Sequence, residues 1–208
     1  MNDHEQLIAL LAERSARRGQ FTLASGRVST LYIDARMTTW SPEGLVLIGR
    51  LGLAEIAAAG WNPQAVGGLT LGADPISCAI SYASNSTTTP IRAFTVRKSA
   101  KTHGTGKLIE GPFKSSDRVV VTEDVITTGG SALKAVHAIR EAGAEILGLL
   151  ALVDREEGGR ESLEREGLTV RVLASARAIV GQLDRNARNL EEYRSSGPHP
   201  DTSLLREL

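Results

Sequence analysis

The sequence is poor in cysteine. Cys78 stands alone among 208 residues, so no intrachain disulfide can form, and the chain fits a reducing compartment. Aromatic residues make up only 4%, and 24 Lys and Arg are balanced by 24 Asp and Glu for a formal net charge of +0. A protein that grips nucleic acid normally carries a basic, aromatic-bearing surface, so no nucleic-acid partner is expected. No apolar run approaches the ~20 residues that cross a bilayer, so no membrane partner is expected either. The opening "MNDHEQLIALLAERSARRGQ" is acidic and then amphipathic, without the basic and then apolar order of a secretory signal. A soluble cytoplasmic protein is expected. No G-x-x-x-x-G-K-[ST] occurs, and no G-x-G-x-x-G follows the first strand, so NTPase and dinucleotide readings lose their main support.

What is present is a core and a pattern. Hydrophobic residues reach 41%, enough for one well-buried domain. Asp3 is a candidate cap for a first helix carrying Leu7, Ile8, Leu10 and Leu11, ended by Gly19. "FTLASGRVSTLYIDAR" reads as two short strands about a Ser25-Gly26 turn. Ser41-Pro42-Glu43 starts a helix that stops at Gly60. Strands follow at 65–69, 91–96, 118–123, 145–154 and in "LTVRVLA", and helices after Gly72, from about Gly130 to Ala142 and around 160–166. "EILGLLALVD" is nearly all apolar, as in strands covered on both faces of a parallel sheet. The alternation predicts a doubly wound, mostly parallel α/β sheet. The division expected is N-terminal elements over about 1–40, a core over about 41–183 and a polar tail over 184–208. Trp40 and Trp61 are expected to pack against the helix they flank, and Cys78 to be a small buried hydrophobe. His4, His137 and His199 lack metal-ligand spacing.

In such a sheet ligands bind beyond the carboxyl ends of the strands. Four loops leave those ends, spanning 70–75, 97–111, 123–131 and 154–159, and all four carry reactive or charged residues. In "VVVTEDVITTGGS", Thr127-Thr128-Gly129-Gly130-Ser131 precedes a helix, where free N–H groups and the positive dipole end suit a phosphate; an ordinary capped turn is the alternative. Two carboxylates, Glu123 and Asp124, beside an anion loop make sense if the ligand also bears hydroxyls. Carboxylates accept from a ribose 2′,3′-diol and can hold a hydrated Mg²⁺ there. The stretch therefore reads as ribose-5-phosphate recognition, against two solvated acids at a strand end. Arg155 follows a buried strand and offers a fork for a carboxylate, or equally a salt bridge to Glu156 or Glu157. Arg97, Lys98, Lys101 and His103 form a basic cluster in a glycine-bearing segment that either is solvated or closes over an anionic leaving group. With little apolar material to anchor it, the segment 99–111 is expected to pack loosely.

"VVVTEDVITTGGS" resembles the phosphoribosyl-diphosphate motif of type I phosphoribosyltransferases. "FTVRKSAKTHGTGKLIEG" resembles the mobile catalytic loop of the orotate phosphoribosyltransferase family, with Arg97, Lys98, Lys101 and His103 matching its pattern. "FTLASGRVSTLYIDAR", "LTLGADPIS" and "LVDREEGG" resemble that family's N-terminal segment, diphosphate loop and orotate-side arginine loop. Together the likeness covers roughly Leu7 to Leu173. It implies a type I fold with a small hood formed largely by the N-terminal segment, a homodimer with shared active sites, and transfer of ribose 5-phosphate from phosphoribosyl diphosphate to orotate in de novo pyrimidine synthesis. In that scheme Thr127–Ser131 binds the 5′-phosphate, with Val125 and Ile126 also lining the substrate, while Glu123 and Asp124 take the diol. Gly72 and Ala73 approach the diphosphate by backbone. Lys101, His103, Arg97 and Lys98 neutralise it. Arg155 and Thr127 hold orotate, and Tyr32 lies against the base. Mg²⁺ rides on the substrate, water-bridged to Asp124 at most. One departure is Ala24, where relatives often have a diphosphate-binding Lys; Arg27 is the candidate substitute. The alternatives are a transferase of the same fold acting on another base, and a non-catalytic phosphoribosyl-diphosphate sensor. A sensor is expected to lose the Lys101–His103 loop and to gain a DNA-binding module; this chain keeps the loop and lacks the module.

Overall fold

A computed structural model describes residues 1–22, 28–99 and 107–195. The Ser25-Gly26 turn, Ala24, Arg27, Lys101, His103 and His199 lie outside them. The first helix, α1 (Asp3–Leu10), is capped by Asn2 rather than Asp3. Asn2 and Glu5 close a reciprocal capping box, with Asn2 Oδ1 accepting from the Glu5 amide at 2.8 Å. Gln6, three after Asp3, would suit the same pattern, but the box forms one residue earlier with Asn2 and Glu5. A π-helical turn, Leu11–Ser15, ends the helix well before Gly19. Ser15 is the reason: its hydroxyl meets Thr38 Oγ1 at 2.7 Å and its carbonyl accepts from the Asp34 amide. The chain then extends at Ala16 to pair in an antiparallel hairpin, β1 (Ala16–Thr22) with β2 (Val28–Ile33).

A four-residue helix, α2 (Arg36–Thr39), leads into α3 (Pro42–Ala58), which starts where expected, with Ser41 capping Gly44 and Pro at the first helical position. The remaining elements are β3 (Ala65–Leu69), α4 (Ala73–Ser84), β4 (Arg92–Val96), β5 (Ile109–Glu110), β6 (Arg118–Ile126), α5 (Gly130–Glu141), β7 (Glu145–Asp154), α6 (Gly159–Arg165), β8 (Val170–Ser175) and α7 (Ala176–Ser195). The second sheet runs β5-β4-β3-β6-β7-β8. All its pairings are parallel except β4 with the edge strand β5.

Strand alternation divides the core into two layers. Val120, Leu150 and Leu152 face one side with Ile48, Ile76, Ile80 and Ile179. Val119, Val121, Leu149 and Ala151 face the other with Val136, Ile139 and Leu163. Both faces of β7 are thus covered, and a sheet buried on both sides needs apolar residues at successive positions. The carboxyl ends of β3, β4, β6 and β7 open along one edge of the sheet.

Four expectations change. Helix α7 continues to Ser195 through residues read as a polar tail. The segment 99–111 is not loose throughout, because Ile109 and Glu110 pair with Val96 and Thr95. Trp61 packs on the core beside Gly148 as expected, but Trp40 is exposed. Cys78 is also exposed, since it falls on the outward side of α4 while Ser77 and Ala79 face in. No described helix is long and apolar enough to cross a membrane.

Candidate active site

Strand β6 carries the acid pair inside the sheet rather than beyond its end. Glu123 pairs with Ala151, and the strand runs three residues further to Ile126. Successive side chains of a strand start from opposite faces, but the Glu123 and Asp124 carboxyls stay within hydrogen-bonding reach of each other. Glu123 takes the face of Val119 and Val121 and is 5% exposed. Its Oε2 has no hydrogen-bond partner among the described residues. Burial first, and then the neighbouring Asp124 carboxyl, hold Glu123 well above the usual carboxylate range. Asp124 is half-buried and takes the face of Thr122, whose hydroxyl meets Ser77 of α4 at 2.7 Å. Asp124 Oδ1 accepts from the Val125 amide at 2.8 Å.

The loop before α4 comes up against that carboxylate. A Cβ at Gly72 would lie 2.3 Å from Asp124 Oδ2, so only glycine fits. Ala73 is buried directly behind it at the start of α4. Asp74, which the sequence reading passed over, anchors the loop: Oδ2 accepts from Thr70 Oγ1 at 2.7 Å and Oδ1 from Thr95 Oγ1 at 2.5 Å. Acceptor and donors lie on three elements, with no local motif to announce them.

After Val125 and Ile126 the chain turns through Thr127 and Thr128 to Gly129, whose φ of +83° favours glycine. A Cβ there would also come within 3.0 Å of the Gly159 carbonyl, so this turn rests on the one leading into α6. Helix α5 begins at Gly130 without a side-chain cap, and Thr128, Gly130 and Ser131 are exposed. Its first amides are therefore open to an anion, where the helix dipole favours one.

Arg97 and Lys98 leave the end of β4. Arg97 is anchored by its amide to the Leu108 carbonyl, and its guanidinium stands 3.7 Å from Glu110. Lys98 is exposed. Arg155 leaves the end of β7 with a side chain only 7% exposed. Its Nε donates to Glu157 Oε1 at 3.0 Å, and Nη2 stands 2.9 Å from the same oxygen as an ion pair. Nη2 also donates to Ser29 Oγ and the Leu31 carbonyl, each at 3.0 Å. Of the sequence alternatives, the salt bridge to Glu157 is present, and the guanidinium also reaches the hairpin. Through Arg155 the hairpin sits over the end of β7, and Tyr32 is brought beside it, half-exposed and tilted against Phe21 at 5.3 Å between ring centroids.

Arg36 was not singled out either. Its Nε and Nη2 bind both oxygens of Asp34 at 2.8 Å, and the pair lowers the Asp34 carboxyl below its usual range. The Arg36 charge is felt at Tyr32 and Asp124, so a cation faces the site from the hairpin side. The only sequence signal was the "IDAR" charge pair. Taken together, one edge of the sheet gathers an uncapped helix start, an adjacent acid pair, a glycine approach and three arginines.

Comparison with known proteins agrees with this geometry. No family model matches the chain. An orotate phosphoribosyltransferase from Aquifex aeolicus is 48% identical over 171 residues, spanning 81% of this chain and 92% of the relative. The chain belongs to the orotate phosphoribosyltransferase family. The orotate phosphoribosyltransferase of Mycobacterium tuberculosis H37Rv, solved with Fe(III) dicitrate, superposes with a TM-score of 0.76 at 44% identity, covering 86% of this chain and 99% of that one. The same enzyme solved with 5-phospho-alpha-D-ribosyl 1-diphosphate gives a TM-score of 0.73 at 40% identity, with the same coverage.

Proposed function

We propose that the chain transfers the ribose 5-phosphate group of phosphoribosyl diphosphate to orotate, giving orotidine 5′-phosphate and diphosphate in de novo UMP synthesis. The observation that carries this is Asp124 set between the glycine approach at Gly72 and the uncapped start of α5. A carboxylate for hydroxyls and open amides for a phosphate, side by side, match a ribose 5-phosphate. Family membership at this identity supplies the base. As the C1′–O bond breaks, its electron pair leaves with diphosphate; orotate N1 gives its proton to the departing diphosphate and its electron pair to C1′. Lys101, His103, Arg97 and Lys98 neutralise the departing diphosphate. The amides of Thr127 to Ser131 hold the 5′-phosphate, and the adjacent Glu123 and Asp124 carboxyls take the diol. Arg155 receives the orotate carboxylate, with Thr127 and Tyr32 on the base. Holding the reactants in line supplies most of the acceleration, since no covalent nucleophile is required.

Magnesium enters with the substrate. No three described His, Cys, Asp or Glu residues converge as a metal cluster, whereas one half-buried carboxylate suits a hydrated ion bound mainly by phosphate oxygens. When bound, the ion offsets diphosphate charge, and Asp124 would hold it through its water shell. A homodimer sharing active sites is supported by the exposed apolar residues Met37, Trp40, Val46 and Tyr82. Val46 and Tyr82 line one groove between α3 and α4, and such patches mark interfaces. The single cysteine supports a cytoplasmic setting. The test is consumption of orotate, followed by absorbance, with uracil, adenine and hypoxanthine as controls. Turnover of orotate alone is expected; preference for another base would refute the assignment of substrate.

A further inference from the structure

We propose that Asp74 is a positioning residue that ties the glycine approach before α4 to the end of β4, so that the backbone and the cations facing the diphosphate keep one spacing. The inference rests on the reading in which Gly72 and Ala73 approach the diphosphate and Arg97 and Lys98 neutralise it. Two separate strand ends supply those parts. Residues 70–72 leave β3, whereas Arg97 and Lys98 leave β4. Among the described residues, the last backbone bond between the two chains runs from the Thr70 amide to the Val96 carbonyl, at 2.8 Å. Beyond it they part, and Asp74 bridges them. Its Oδ2 accepts from Thr70 Oγ1 at 2.7 Å, and its Oδ1 from Thr95 Oγ1 at 2.5 Å. A carboxylate only accepts, so both hydroxyls must turn toward it.

Both ends of this tie are placed to matter. Phe94 and Val96 turn into the layer of Val119 and Val121, so Thr95 starts from the other face, the one α4 covers. Arg97, two residues on, starts from the same face as Thr95. Thr95 also pairs with Glu110 of β5, and the Arg97 amide donates to the Leu108 carbonyl at 2.8 Å. Asp74 therefore grips β4 at the base of the stem that carries Arg97. The helix end is firm as well. Ser77 Oγ donates to the Ala73 carbonyl at 2.9 Å and meets Thr122 Oγ1 of β6 at 2.7 Å. An acid in the first turn of a helix gains from the dipole wherever it points. The dipole does not account for both oxygens being taken by hydroxyls from two strand ends.

The experiment measures affinity for phosphoribosyl diphosphate and for orotate by calorimetry, with KM for each, in the wild type, Thr70→Val, Thr95→Val, the double variant, Asp74→Ala and Arg97→Ala. Melting curves check folding. Valine keeps the branched shape and removes only the hydroxyl. Each single valine variant should bind phosphoribosyl diphosphate roughly tenfold more weakly, the scale of one lost hydrogen bond to a charged group. Orotate, received at the end of β7, should stay within about twofold. The double variant and Asp74→Ala should fall within about twofold of the singles, because a tie cut at either end is already cut. A merely structural Asp74 would lower the melting temperature and leave both affinities in place, which overturns the inference. Losses that multiply in the double variant also overturn it, since each threonine would then hold its own loop. So does an equal loss of both substrates. If Arg97→Ala leaves phosphoribosyl diphosphate binding unaltered, the reading of the β4 end falls and the inference with it. If Arg97→Ala weakens that binding and folded Thr95→Val does not, the inference alone falls.

Discussion

Gly72→Ala tests the geometry of the acid site with a single methyl group. Gly72 has φ −65° and ψ −42°, which any L-residue adopts, so the backbone gives no reason for glycine. The reason is the neighbour: the new Cβ would lie 2.3 Å from Asp124 Oδ2, 2.4 Å from Cγ and 2.6 Å from Oδ1. Ordinary contact begins at 3.4 Å, so the carboxyl must retreat by 3.4 − 2.3 = 1.1 Å. Forcing a side chain off its rotamer costs about 0.5–1.5 kcal/mol. Losing the bond from the Val125 amide costs about 0.5–1.5 kcal/mol more. Against this, Gly→Ala at a compatible backbone stabilises by about 0.4–1 kcal/mol through the unfolded chain. The net cost lies between about 0 and 2.6 kcal/mol, a fall in melting temperature of up to about 10 °C for a chain of this size. Catalysis should suffer more, since displacing a reacting arrangement by ~1 Å costs on the order of 100-fold, or about 2.7 kcal/mol. Steady-state orotate consumption at varied phosphoribosyl diphosphate, set beside a melting curve, separates the two. A folded variant whose kcat/KM for phosphoribosyl diphosphate stays within about threefold of wild type would show that Asp124 does not hold the ribose.

Other perturbations address the remaining parts. Asp124→Asn removes a charge-assisted contact worth roughly 1.5–3 kcal/mol, so kcat/KM for phosphoribosyl diphosphate should fall about 10- to 100-fold; unaltered kinetics would remove the ribose assignment. Glu123 has its folded pKa raised, so its contribution to stability is full below the unfolded value, near 4.3, and is lost as pH rises through the folded value. Glu123→Gln stays neutral throughout, so its melting temperature should gain on wild type as pH rises through that window; parallel curves would contradict the burial argument. Lys101→Ala and Asp124→Ala should each be nearly inactive alone. If the loop serves the neighbouring subunit, co-refolding them gives mixed dimers with one intact site and about a quarter of wild-type activity. No recovery, with mixed dimers confirmed by mass spectrometry, would place the loop in its own subunit's site.

The parts that sequence made legible share a cause: their signals are local. Apolar runs at 65–69, 118–123 and 145–154 announced a sheet buried on both faces, and Ser41-Pro42 announced α3 because cap and proline act within one turn. The acid pair followed by Thr and Gly was legible for the same reason. What escaped depends on distance or on weak pattern. Arg155 reaches Ser29, 126 residues earlier, through a contact that no spacing foretells. Asp74 draws on β4 as well as its own loop. The second half of α7 is exposed over 185–193, and Ala187, Leu190 and Tyr193 are its few apolar residues there, too thin a pattern beside a polar end to announce the helix. Strand β5 is two residues long, too short for alternation to register. The burial of Glu123, and its contact with the Asp124 carboxyl, became visible only when β6 proved to run through both residues.

The most direct measurement is a crystal structure with orotidine 5′-phosphate bound, because one molecule carries all three recognised groups. The phosphate should sit on the backbone amides between residues 127 and 131. The ribose hydroxyls should meet the Asp124 carboxylate. The carboxylate of the base should lie on Arg155, beneath the hairpin that carries Tyr32. A product whose phosphate lies away from the start of α5, or whose carboxylate is held by a residue other than Arg155, would contradict the assignment of this edge of the sheet as the site of transfer.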